Sequence, residues 1–277
     1  MTSLQITKAN GDREDFNENK LLYSLNRAQL PSDSSQRLLQ VIKPKLKPSL
    51  TSQQLHALVS QQLAHIAQPI HFANYNLKQA VMKLGPSGFP FERYVAGVLN
   101  ELGFQTSVGQ IMTGYCINHE VDIEAIKGDS HYLIECKFHQ YPGNKTDAQV
   151  ALYTYARFQD IIRYCQSEHQ NHYPWIITNT KVTLDAMDYS LCQKMKLTSW
   201  GYPENDNLYT MIISSRLYPV TVLNSLSADQ QANLLSRDVV SLKDLKLRLS
   251  HKSLIDVIPS SRSQAVINEI DQIIDAQ

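Results

Sequence analysis

The chain has 277 residues, 43% of them apolar, which is enough for one large domain or two ordinary ones with a real core and excludes disorder as the default state. Lysine plus arginine equals aspartate plus glutamate at 26 each, so there is no global positive field to hold a nucleic acid, and any such binding has to come from local patches. Cys116, Cys136, Cys165 and Cys192 show no CxxC spacing, no run approaches the ~18 apolar residues of a membrane span, and MTSLQITKANGDRED lacks a signal-peptide core, so the expectation is a cytoplasmic protein with reduced thiols and no membrane partner.

The first predicted element is a short strand, Leu4 to Thr7, leading into the turn ANGD. From Phe16 to about Leu84 the pattern is helical. Leu21, Leu22, Leu25 and Ala28 form one stripe, and Leu55, Leu58, Val59, Leu63 and Ile66 form another at spacings of three and four. Thr51 or Ser52 offers an N-cap for the second stripe, and Pro44 and Pro48 punctuate the loop before it. GPSGFP, from Gly85 to Pro90, breaks the pattern and is read as a domain boundary. Helix and strand then alternate: FERYVAGVLNELGF is an amphipathic helix ending near Gly103, VDIEAIKG and HYLIECKF are strands split by a Gly-Asp turn, Tyr153 to Cys165 is helical, PWIITNT is a strand, and a helix runs from about Leu184 to Met195. This alternation predicts an α/β domain with a mixed central sheet. After Tyr218 the chain reads as helical again, with LNSLSADQQANLLSRDVVSLKDL forming two short helices joined by a tight turn. The expected organisation is therefore multidomain α/β, divided as residues 1–84, 85–215 and 216–277.

The chemistry gathers in VDIEA and HYLIECKFHQ. Side chains alternate faces along a strand, so Glu135 and Lys137 point one way and Ile134, Cys136 and Phe138 the other. The same alternation puts Asp122 and Glu124 on one face, with Val121, Ile123 and Ala125 on the buried one. A charge in a buried strand costs several kcal/mol, roughly, unless paired or bound to a metal. If the strands are neighbours, Asp122 and Glu135 converge into a site for a hard divalent cation, and Lys137 can position or deprotonate the attacking water and offset charge on a phosphate. An edge-strand ion pair is the plainer reading of the same residues, since a carboxylate, any residue and then lysine also occurs at Glu18 to Lys20 and, with aspartate, at Asp244 to Lys246.

GFPFERYVAGVLNELGF, CINHEVDIEAI and HYLIECKF resemble, in this order, the helix and two strands of PD-(D/E)xK nucleases, specifically the Mrr-type restriction-endonuclease-like proteins. The resemblance covers about Gly88 to Thr180. It implies that Asp122 and Glu135 ligate Mg²⁺ or Mn²⁺, that Lys137 is the catalytic lysine, that Glu92 on the first helix supports the site, and that Gln149 matches a polar position used by some members. It also implies endonucleolytic cleavage of DNA, restriction of modified or foreign DNA, and a homodimer for duplex cutting. Glu92 in a first helical turn also stabilises the helix dipole. His119 and Glu120 would line the same mouth, with a hydrogen-bonded structural role favoured for His119.

ITKANGDREDFNENKLLYSLNRA resembles the start of an ATP-cone, a regulatory nucleotide-binding domain, over about Leu4 to Leu84, with YNLKQAV as its last helix. The resemblance implies that Lys8, Gly11, Lys20 and Lys78 hold the triphosphate of ATP or dATP. A turn of backbone N–H groups with converging lysines is an anion site in its own right. The chain has Lys8, Ala9, Asn10 and Gly11 where the family usually has lysine, arginine, aspartate and glycine. A helical dimerisation or DNA-contact module is the other reading of this segment. In the tail, Arg237, Lys243, Lys246, Arg248 and Lys252 read as a solvated helix face, or as a phosphate-contacting patch if the chain is a nuclease.

Overall fold

The computed structural model describes residues 4–85, 87–165 and 171–276. Pro86, inside the GPSGFP break, and the first three residues of the N-terminal segment lie outside the described residues.

The chain opens with β1 (Gln5–Thr7) and β2 (Arg13–Asp15), an antiparallel pair joined by the ANGD turn, where Gly11 takes φ 88°. That left-handed backbone is the conformation that glycine adopts without steric cost. Helix α1 (Glu18–Arg27) starts at Asn17, whose side chain accepts from the N–H groups of Asn19 and Lys20. Then follow α2 (Ser32–Ile42), a 3₁₀ turn at Lys43–Lys45, β3 (Ser49–Thr51), α3 (Ser52–Ile66) and α4 (Pro69–Met82). Thr51 caps α3 in a reciprocal box with Gln54, which settles the choice between Thr51 and Ser52. The two apolar stripes meet: Leu21, Leu25, Val59 and Leu63, with Leu38 and Ile42 of α2, form one small core, whereas Ile66 is exposed.

β2 and β3 were not expected. Each has three residues, too few to show a period of two. β3 exists through its parallel pairing to β1, with Leu50 opposite Ile6, a partner more than forty residues away. Helix α4 has two faces, with Phe72 and Tyr75 packed against the small core. Its Ala73, Leu77, Ala80 and Val81 pack into the main core, together with residues from the centre and the end of the chain.

Helix α5 (Phe89–Glu101) continues that core and ends before Gly103 at φ 85°. The central sheet comprises β4 (Gln105–Thr113), β5 (Asn118–Lys127), β6 (Ser130–Lys137), β8 (Asn171–Thr178) and β10 (Lys196–Thr198), in the order β10-β8-β6-β5-β4; β7 (Lys145–Thr146) and β9 (Lys181–Val182) pair separately. β6, β8 and β10 run parallel, whereas β5 and β4 run antiparallel to their neighbours, so the sheet is mixed as the alternation predicted. Gly128, at φ 58°, makes the turn between β5 and β6. Helices α6 (Ala148–Tyr164) and α7 (Leu184–Cys192) cover one face. On the other, Ile123, Ala125, Ile134, Cys136 and Trp175 meet α5, α8 (Leu208–Ser215) and the C-terminal helices.

Helix α6 begins five residues before the expected Tyr153, because Asp147 caps it by accepting from the N–H groups of Gln149 and Val150. β4 was missed because it lies at the sheet edge, where little of its sequence is buried. The tail supplies the two expected short helices, α9 (Ala228–Ser236) and α10 (Leu242–Ser250), and a third, α11 (Ser260–Ile274). Three buried hydrogen bonds tie this end to the rest: Tyr94 Oη to the Leu217 carbonyl, Tyr218 Oη to Asn74 Oδ1 and Thr221 Oγ1 to the Ala80 carbonyl, each at 2.6 Å. Among the described residues, no helix is long and apolar enough to cross a membrane.

Candidate active site

β5 and β6 pair from Lys127 opposite Ser130 up to Ile123 opposite Ile134, and then part. Asp122 is the next residue of β5 and Glu135 the next of β6, so the two carboxylates lie at the fork. Asp122 Oδ2 accepts the Cys136 N–H at 2.7 Å across it. The fork also turns the strand: Val121 packs with Leu133, Phe158 and Ile161 under α6, whereas Ile123 and Ala125 belong to the core on the α5 side. Of the three residues expected on one buried face, Val121 is therefore on the other.

Glu135 is buried, and α6 answers its charge. Tyr153 Oη donates to Oε1 at 2.5 Å and Arg157 Nη1 to Oε2 at 2.7 Å. Neither residue was among the expected site residues. The signal was present, since Gln149, Tyr153 and Arg157 recur every four residues, a single helical stripe beside the apolar stripe of Val150, Thr154, Phe158 and Ile161. Gln149 is exposed in the first turn of α6, and among the described residues its side chain makes no hydrogen bond.

The electrostatics gather four acids. Burial first, and then the charge of Glu135, push Asp122 up to about 6, against the pull of the Cys136 N–H and Arg157. Burial pushes Glu92 up to about 7, followed by the charges of Asp122, Glu120 and Glu135. The first turn of α5 thus brings Glu92 to the fork. Lys137 is half-buried at the next position on the Glu135 side of β6, and among the described residues it has no hydrogen bond or ion pair.

A divalent cation fits this donor set. Among the described residues, Glu92 and Asp122 Oδ1 accept no hydrogen bond, burial and then neighbouring acids raise both groups, and all the donors are hard oxygens. Yet no group of three or more His, Cys, Asp or Glu side chains among the described residues is already gathered at ligating distance, because Glu135 is turned to Arg157 and Tyr153. Glu120 is exposed. His119 is structural: its Nε2 meets Asp160 Oδ2 at 2.8 Å, and Asp160 also accepts the Cys116 N–H at 3.0 Å, pinning the β4–β5 loop to α6.

The N-terminal lysines are placed as follows. Lys8 and Lys20 converge on one oxygen, Glu14 Oε2, at 2.8 and 2.7 Å, beside the Gly11 turn. Lys78 is not with them; its electrostatic neighbours are Lys181 and Arg27. In the tail, Arg237 pairs with Asp256, Lys243 with Glu101, Lys246 with Asp271 and Arg248 with Asp244, which neutralises four of the five cations expected to form a patch.

The fold defines the class, a mixed α/β protein. The chain belongs to the AF1548-like family: it is 39% identical over 176 residues to an uncharacterized protein of Archaeoglobus fulgidus, a stretch covering 61% of this chain and 98% of that protein. The family description "AF1548-like, C-terminal" matches residues 218–274. A crystal structure of AF1548, a protein of unknown function, matches 69% of this chain and 100% of its own, with 33% identity and a TM-score of 0.56. The MspJI restriction endonuclease in complex with a 27-mer oligonucleotide aligns over 61% of this chain and 36% of its own at 13% identity, with a TM-score of 0.36.

Proposed function

We propose that the protein is a metal-dependent DNA endonuclease that hydrolyses phosphodiester bonds at the fork of β5 and β6. The observation that carries this reading is the convergence of Glu92 and Asp122, both raised chiefly by burial and Glu92 further by the Asp122 charge, beside Glu135 and a Lys137 that has no hydrogen bond or ion pair among the described residues. Asp122 and Glu135 would hold Mg²⁺ or Mn²⁺, with Glu92 in support. The bound ion supplies Lewis-acid polarisation of a phosphate oxygen. Lys137 orients the attacking water and offsets the charge that grows on the phosphate during in-line attack, as the new P–O bond forms and the ester P–O bond breaks. Glu92, titrating near neutrality, is suited to exchange a proton with that water. Arg157 and Tyr153 hold Glu135 in one rotamer until the ion competes for it.

The N-terminal region is assigned to nucleotide sensing, with Lys8, Gly11 and Lys20 as the candidate contacts to ATP or dATP; Lys78, expected with them, lies apart beside Arg27 and Lys181. A homodimer would serve duplex cutting, and restriction of modified or foreign DNA is the biological role that fits. A second reading, DNA binding without turnover, is favoured by the engagement of both Glu135 oxygens by α6.

The test is cleavage of plasmid and of methylated genomic DNA by wild type and by Glu135→Ala, with Mg²⁺, with EDTA, and with or without ATP. Metal-dependent cutting that the variant lacks is expected. Binding without cutting by wild type under every condition would leave the second reading in place.

A further inference from the structure

We propose that the seam between the N-terminal helices and the central sheet is a track for a DNA backbone, in which Arg27, Lys78 and Lys181 hold the strand that leads to the fork at Asp122 and Glu135. The inference rests on the nuclease reading for where the strand goes, though not for its own geometry.

Three residues of α4, Asn74, Lys78 and Met82, are four apart and share a helix face. The outer two fix what that face touches. Asn74 Nδ2 donates to the Ala28 carbonyl at 3.4 Å, next to Arg27, and Met82 Sδ receives Asn179 Nδ2 at 3.1 Å, two residues before Lys181. Lys78 therefore lies between Arg27 and Lys181. Arg27 is held in position, its guanidinium 3.9 Å from the centre of the Tyr209 ring while Tyr209 Oη donates to its carbonyl at 2.5 Å. Lys181 has Lys145 as its register partner across the parallel β7–β9 pair.

These cations lack counter-charges. Among the described residues, none of Arg27, Lys78, Lys145 and Lys181 enters an ion pair. Burial, and then the charges of Lys181 and Arg27, hold Lys78 below the usual lysine range. Like charges set side by side are unfavourable unless something anionic covers them. Along the tail, by contrast, four of five cations are matched by acids. Leaving this set unmatched is what a polyanion site requires.

The track is joined to the fork. Thr178 is the register partner of Lys137, and Asn179, the next residue, accepts the His139 N–H and donates to the His139 carbonyl, both at 2.8 Å. Lys181 follows Thr178 by three residues through a bend at Asn179 and Thr180, so at ~3.3 Å per fully extended residue the two lie at most roughly 10 Å apart. That is about three phosphates at the ~3.4 Å axial spacing of one DNA strand. The cations come from α1, α4 and β9, with Arg27 and Lys181 both beside Lys78. Lys8 and Lys20, beside the glycine turn that would cradle a nucleotide, are instead closed on Glu14.

The experiment is fluorescence anisotropy of a labelled duplex across a salt series, with cutting of the same duplex in Mg²⁺ measured separately, for wild type, Asp122→Asn, Lys181→Gln and the double variant Lys78→Gln/Lys181→Gln. Lys181 is exposed, so Lys181→Gln folds regardless of what Lys78 tolerates. The double variant is expected to bind about tenfold or more weakly, with the slope of log affinity against log salt reduced by about 0.9 for each phosphate that it no longer neutralises. Without DNA its melting temperature should stay level or rise, which a merely structural pair of lysines would not give. Asp122→Asn should keep affinity and slope and lose cutting. Unchanged affinity and slope in the double variant overturn the track. ATP binding that depends on Lys78 but not on Lys181 also overturns it, assigning that lysine to a nucleotide. Wild type that binds with this salt slope and never cuts ends the nuclease reading and leaves the track standing.

Discussion

Arg157 donates to Glu135 at 2.7 Å, joining the middle of α6 to the end of β6 at the point where the sheet forks. With Tyr153 on the other oxygen, the pair answers the question raised by a glutamate at the end of an apolar strand. A carboxylate this buried is tolerable because a guanidinium and a phenol take it up. The same pair sets the competition that any cation entering the fork has to win.

Removing Arg157 therefore leaves Glu135 buried with an unmatched charge. Arg157→Gln is expected to lower stability by about 1.5–3 kcal/mol, the range for hydrogen bonds to charged groups. In the double variant Arg157→Gln/Glu135→Gln the loss should be smaller than the sum of the two single losses, because the partners are in contact. Mg²⁺ should raise the melting temperature of Arg157→Gln by more than it raises that of wild type. Additive losses in a urea-denaturation cycle would show that the pair contributes nothing net.

Among the described residues, Lys137 has no hydrogen bond or ion pair to lose. Lys137→Met should leave stability within about 0.5 kcal/mol of wild type, as for surface substitutions away from special features. If the lysine orients water and stabilises the phosphate in the transition state, cutting should fall by about 10²-fold or more. Single-turnover cleavage together with a melting curve separates the two effects. A variant that cuts at the wild-type rate removes Lys137 from the reaction.

The helix and two strands that build the fork were legible because their periods are long enough to read: thirteen residues in α5, ten in β5 and eight in β6. Asp122, Glu135 and Lys137 stood out as charges in strands otherwise patterned for burial. Tyr153 and Arg157 did not, because polar residues on the open side of an amphipathic helix look like ordinary surface until the strand opposite is known to carry a buried acid. The three-residue strands β2, β3 and β10 are set by their partners rather than by their own sequence. Of the seam cations only Lys78 stood out, and as a nucleotide contact; its grouping with Arg27 and Lys181 could not be read, since the three come from segments brought together by packing. The basic tail was the opposite case, a run conspicuous in sequence whose charges are mostly spent on neighbours.

The raised acids give a pH dependence of definite sign. The folded chain holds Asp122 at about 6 and Glu92 at about 7, above the ordinary values of 3.8 and 4.5, so between those limits it binds more protons than the unfolded chain. Stability from this source is full below about pH 4 and is lost as pH rises through 6 to 7. Metal-free protein should therefore lose melting temperature across that window. A divalent cation should restore it at the upper end, where both carboxylates are ionised and available. Asp122→Asn should flatten the pH profile and blunt the response to the ion. A metal-free profile that rises across the same window would contradict the assignment of these two acids.

At the other end of the chain, Glu14 decides what Lys8 and Lys20 can do. Both ammonium groups sit on its Oε2 at 2.8 and 2.7 Å, so a triphosphate arriving at the Gly11 turn has to displace a carboxylate that already holds the charges it needs. The three side chains are solvent-accessible and water screens their ion pairs, so Glu14→Gln should barely move the melting temperature. It should, however, tighten ATP or dATP, by removing a competing anion and its repulsion of the phosphates. Lys8→Ala should weaken the nucleotide in the Glu14→Gln background. Isothermal titration gives the answer directly, and no binding heat for wild type or Glu14→Gln would mean that these lysines serve only to hold β2 and α1 together. The turn is well placed to matter if nucleotide does bind. A Cβ on Gly143, in the loop that follows Lys137, would come within 3.3 Å of the Ala9 carbonyl, so the turn rests against the loop leaving the fork. Nucleotide that shifts the turn should then change the rate of cutting, and Gly143→Val should alter that response while leaving ATP affinity as it was.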